Sequence, residues 1–65
     1  MTWELYEVWS ETDLGHQALV DTTKSLKEAR RIATDTIAHD ADVVVVQILR
    51  ETADGDFELV EELGN

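Results

Sequence analysis

The sequence contains no cysteine and no proline, only three glycines, and two Trp, one Tyr and one Phe as its entire aromatic complement. Without cysteine, neither a disulfide nor a thiolate metal site can supplement the hydrophobic core. No apolar stretch approaches the ~20 residues needed to cross a membrane as a helix, and no basic segment followed by an apolar one marks the N-terminus as a signal peptide. Basic residues are scarce as well. Five Lys and Arg stand against fifteen Asp and Glu in 65 residues, a formal net charge of −10. A field of that sign opposes direct binding of nucleic acid. The expectation is one acidic domain spanning residues 1–65, cytoplasmic, with no membrane contact and no nucleic-acid contact of its own.

High charge with few apolar residues would indicate disorder. Here 43% of residues are hydrophobic, and they fall in blocks around Trp3–Trp9, Ala18–Val20, Val43–Leu49 and Phe57–Leu63. A chain of about this size hides only roughly 60% of its unfolded surface, so the core is small.

Thr2 to Ser10 is rich in aromatic and β-branched residues and predicts a strand. Asp13-Leu14-Gly15-His16 supplies turn chemistry, and Gln17–Thr23 is the returning strand. Ser25-Leu26-Lys27-Glu28 has the spacing of a capping box, in which the Ser25 hydroxyl accepts from the Glu28 amide and the Glu28 carboxylate reaches back to the Ser25 amide. A helix follows over Leu26–His39, with Leu26, Ala29, Ile32, Ala33 and Ile37 on one stripe. Asp42–Arg50 contains an unbroken apolar run, the pattern of a central strand. Asp54-Gly55 predicts a two-residue type I′ hairpin turn, pairing Ala53 with Asp56, Glu51 with Glu58 and Arg50 with Leu59. Phe57–Leu63 is the last strand.

The expected fold is therefore α+β, in the order ββαββ. A four-stranded antiparallel sheet carries one helix on one face. The strand order 2-1-3-4 is preferred over 1-2-3-4 because strands 1 and 3 hold the most apolar residues. One helix covers one face, yet both faces of the central strands are apolar. Trp3, Leu5 and Trp9 of strand 1 and Val43, Val45 and Leu49 of strand 3 point away from Tyr6, Val8, Val44, Val46 and Ile48. An uncovered patch of this kind marks an interaction surface, and Trp is enriched at binding hot spots. The six residues Trp3, Leu5, Trp9, Val43, Val45 and Leu49 are the candidate interface, and the expected partner is protein, a second copy forming a homodimer.

The charge is unevenly placed. Lys24, Lys27, Arg30 and Arg31 are four of the five bases and sit around the start of the helix. Glu51, Asp54, Asp56, Glu58, Glu61 and Glu62 form an acidic hairpin. Carboxylates arrayed on strands can imitate the phosphates of a duplex, as in small phage and mobile-element anti-restriction and anti-CRISPR inhibitors; an inhibitor of that type is the alternative function. Solubility alone also accounts for an acidic surface.

No catalytic residues, cofactor or metal are expected. Nucleophilic catalysis needs Ser, Cys or Thr beside an oriented base. Ser10 and Ser25 lack that context, and Ser25 already caps a helix. His39, Asp40 and Asp42 carry suitable metal donors, but a histidine at a helix C-terminus is explained by the dipole. Asp54-Gly55-Asp56 lacks the later ligands of a calcium loop.

A strand hairpin followed by Thr22-Thr23-Lys24-Ser25-Leu26-Lys27-Glu28-Ala29 is similar to the hairpin and capped helix of HicB-like antitoxins, over about residues 3–38. The resemblance implies, as a second alternative, a small antitoxin-like regulator without the DNA-binding appendage often found in that family. The favoured expectation is a small non-enzymatic protein-interaction module.

Overall fold

A computed structural model of the chain describes residues 5–64. The elements are β1 (Tyr6–Thr12), β2 (Gln17–Thr23), α1 (Leu26–His39), β3 (Val43–Glu51) and β4 (Phe57–Gly64). All adjacent strands are antiparallel and the sheet order is β2-β1-β3-β4. The two most apolar strands are central, as burial requires. The part of the first expected strand before Leu5 lies outside the described residues, and β1 runs two residues further than expected, to Thr12.

One face of the sheet carries α1. Tyr6 and Val8 of β1, Val43, Val46 and Ile48 of β3, and Ala29 and Ala33 of α1 form the buried core. The two alanines have no exposed surface, and their small side chains let the helix backbone approach the sheet. Leu26, Ile32 and Ile37 flank them, while Val60 and Leu63 close the core from β4.

The helix starts at Ser25, whose Oγ accepts from the Glu28 amide at 3.3 Å. Only half of the expected capping box forms. The Ser25 amide donates instead to Thr23 Oγ1 at 3.4 Å, and the Glu28 carboxylate turns outward to Arg31. A guanidinium one turn along is a stronger partner for a carboxylate than a single amide.

The β3–β4 hairpin departs from the expected two-residue turn. The Gly55 amide donates to Thr52 O at 3.0 Å and the Thr52 amide to Asp56 O at 2.7 Å. Gly55 has φ 86° and no non-glycine residue described has positive φ, whereas a type I′ turn needs positive φ at both central residues. The loop is longer, so the register moves by one. Glu51 pairs with Phe57, Arg50 with Glu58 and Leu49 with Leu59. The expected contact of Glu51 with Glu58 is replaced by an ion pair between Arg50 and Glu58.

Three strands carry irregular pairing. Val20 in β2 and Val60 in β4 are each an extra residue against a continuous partner strand. In β3, Glu11 pairs with Val45 and Thr12 with Val43, which leaves Val44 as the extra residue. A bulge shifts the alternation of side chains by one position. For that reason Val43 is 2% exposed in the core, and Val44 is 38% exposed.

Candidate functional site: the open face of the sheet

The register fixes what the uncovered face presents. Residues paired across the strands share a side of the sheet. Leu5, the residue before β1, Trp9 of β1, and Val45 and Leu49 of β3 lie on the face away from α1, all half-buried. Four of the six expected interface residues are thus brought together. Val43 is not among them, because the bulge at Val44 turns it into the core. Trp3 lies outside the described residues.

The edge strands complete the surface with residues that the central strands alone did not indicate. Leu19 of β2 pairs with Trp9, Leu59 of β4 pairs with Leu49, and Phe57, the first residue of β4, pairs with Glu51. Leu59 is 53% exposed, Leu19 46% and Phe57 39%. Trp9 and Leu49 are diagonal neighbours, since Trp9 is directly opposite Gln47. An apolar stripe therefore runs obliquely across all four strands through Leu19, Trp9, Leu49 and Leu59, with Phe57 beside its β4 end and Leu5 diagonal to Leu49. The sequence alone does not signal the β4 contributions, because the expected hairpin register pairs Leu59 with Arg50 and so puts it on the helix side, whereas the observed register pairs it with Leu49.

Carboxylates border the stripe on both sides. Glu7 and Glu51 lie toward one end of the strands, Glu11 and Glu62 toward the other. Three of them accept from neutral donors on the same face. Trp9 Nε1 donates to Glu7 Oε1 at 3.1 Å, Gln17 Nε2 to Glu11 Oε1 at 2.8 Å, and Gln47 Nε2 to Glu62 Oε2 at 3.1 Å. Such bonds hold a carboxylate in place without cancelling its charge. The strands contribute no Lys or Arg to this face. Arg50, the one strand base, pairs with Tyr6 in register and so lies on the helix side, where Glu58 foremost holds its pKa above the ordinary value.

The acidic hairpin is divided by the same alternation. Glu58 and Glu61 lie on the helix side, engaged by Arg50 and by Arg30 respectively, the latter at 2.8 Å. Glu51 and Glu62 belong to the open face, and Asp54 and Asp56 to the loop. The six carboxylates do not form one array. The basic helix start is occupied too: Arg31 contacts Glu28 and, at 3.1 Å, Asp35. Its hydrogen bond is the main cause holding the Glu28 carboxyl below its ordinary pKa.

His39 Nδ1 is 2.8 Å from Asp35 O, one helical turn back, and Asp40 Oδ1 accepts from the Asp42 amide at 3.1 Å. These residues close the helix. No group of three or more His, Cys, Asp or Glu among the described residues is arranged to hold a metal ion, and no helix among them is long and apolar enough to cross a membrane.

Both edge strands carry their bulge in mid-strand, at Val20 and Val60. Bulged edges pair poorly with a further strand, so the faces of the sheet are its accessible broad surfaces. Comparison of the chain with protein-family models, with curated protein sequences and with solved structures returns no match.

Proposed function

We propose that this chain is a non-enzymatic protein-interaction module that docks a protein partner on the open face of its sheet. The observation that carries the reading is the oblique stripe of Leu19, Trp9, Leu49 and Leu59, apolar across all four strands and left uncovered by the single helix. Large exposed apolar patches bounded by polar groups are characteristic of protein interfaces. An aromatic anchor near the centre, here Trp9, is the usual energetic focus. A small inhibitor or antitoxin-like regulator is one way such a module works.

Imitation of nucleic acid fits less well. It needs one ordered row of free carboxylates, whereas the hairpin acids are split between two faces and a loop, with Glu58 and Glu61 engaged by arginines.

The test is site-specific photocrosslinking in cells producing the chain. A photoreactive amino acid is placed at Leu59 in the stripe, and separately at Leu14 and Lys27 as exposed controls. Protein adducts concentrated at Leu59 and lost when Leu19→Ser and Leu49→Ser are added support face docking, whether the adduct is to another protein or to a second copy. Equal adduct yield at all three positions, or none at Leu59, overturns it.

A further inference from the structure

We infer that the occupant of the open face is a cationic amphipathic segment of another protein, with apolar side chains along a line and Lys or Arg on both flanks, and not a second copy of this chain. The inference rests on the docking reading above and names the partner's chemistry.

The charge pattern carries it. Glu7 and Glu51 border the apolar stripe on one side and Glu11 and Glu62 on the other, and the strands supply no cation to that face. The chain's own arginines are on the far side of the sheet: Arg50 with Glu58, Arg30 with Glu61, and Arg31 with Glu28 and Asp35. A second copy laid face to face matches leucine with leucine but sets carboxylates against carboxylates, between two chains each of net charge −10. Like charges brought together in a partly desolvated interface oppose association, and opposite charges steer it.

The hydrogen bonds from Trp9, Gln17 and Gln47 fix where the charges stand. A carboxylate already oriented loses less side-chain freedom when a Lys or Arg arrives. The stripe crosses three strand intervals, about 14 Å at the usual spacing. That is the length of two to three helical turns, so an amphipathic helix with apolar residues at i, i+3/i+4 and i+7 and bases beside them matches it.

The experiment uses the full chain carrying Trp3→Phe, which leaves Trp9 as its one indole, and follows Trp9 fluorescence. Three synthetic helical peptides share one leucine stripe and differ only in their flanks: Lys and Arg, Gln, or Glu. The Lys/Arg peptide is expected to shift Trp9 emission and saturate as a one-to-one complex, with the free chain a monomer by light scattering. Two variants of equal net charge separate a docked partner from general attraction to an acidic protein. Glu7→Gln with Glu11→Gln and Glu62→Gln is expected to weaken binding by about tenfold or more, the sum of three modest charge contacts. Asp13→Asn with Asp54→Asn and Asp56→Asn is expected to weaken it far less.

Equal weakening by both triple variants overturns the inference, because it shows attraction to net charge alone. Equal binding of the Gln or Glu peptide overturns it while face docking stands. A chain that is dimeric by light scattering and becomes monomeric on Leu59→Ser has the same consequence: the face docks, but its partner is itself. If no peptide shifts Trp9, the cationic partner is excluded, and the crosslinks at Leu59 decide separately whether the face docks anything.

Discussion

Arg50 donates to the Glu58 carboxylate directly across the β3–β4 ladder, on the side of the sheet that carries the helix. This pairing is set by the loop between the strands, and the loop turns on Gly55. Its φ is 86°, and a Cβ built there would meet nothing within 4 Å. The demand for glycine is therefore conformational and not steric. Gly55→Ala is expected to destabilise the domain by about 1–2 kcal/mol, the usual cost of a left-handed residue with a side chain. Urea unfolding measures it. An unchanged midpoint would show that the loop relaxes to another turn.

The helix-covered and open faces of the sheet are expected to differ in their response to truncation. Ile48 is fully buried between sheet and helix, and Ile48→Val should cost about 0.5–1.5 kcal/mol. Leu59, more than half exposed at 53%, should tolerate Leu59→Ala within about 0.5 kcal/mol in the free chain. Thermal melts of the two variants suffice. A large loss at Leu59 would mean that the open face already packs against part of the same molecule.

Ser25 supplies the one side-chain cap at the start of α1, and Ser25→Ala should cost about 1 kcal/mol, with Ser25→Asp close to neutral. Chemical denaturation followed by circular dichroism gives both values. Because the Glu28 carboxylate is engaged with Arg31 and not with the Ser25 amide, Glu28→Gln should leave the cap intact.

Acid titration isolates the Glu28–Arg31 contact. Hydrogen bonding to Arg31 lowers the Glu28 pKa in the folded protein. A group whose folded pKa lies below its unfolded one stabilises the fold above the ordinary glutamate range, and that contribution fades as pH falls through the folded value. Carboxyl chemical shifts should place Glu28 lower than the same residue in an Arg31→Met variant. Equal midpoints in the two proteins would show that the contact does not persist in solution.

Much of this architecture is legible in the residues because hydrophobic period and capping chemistry act locally. Ser25 and the Leu26–Ile37 stripe mark the helix, and the valine run marks a central strand. What is not legible is parity beyond a bulge. Val43 and Val44 are chemically identical, and only the pairing of Glu11 and Thr12 across the ladder decides which of them enters the core. The hairpin has the same difficulty: Asp54-Gly55 marks the turn, but the hydrogen bonds of Thr52 decide its length and hence whether Glu58 meets Glu51 or Arg50. The open face was legible in Leu5, Trp9, Val45 and Leu49, while Leu19, Leu59 and Phe57 join it only through register with those strands.

The extra residues at Val20 and Val60 bear on the behaviour of many molecules together. Open-ended polymers grow when every unit offers both a sticky edge and its complement. Here each outer strand is interrupted at its middle, which hinders a newcomer from stacking as the next rung of a ribbon. The backbone geometry of the two edges thus opposes open-ended growth of the sheet, although the flank beside them is apolar.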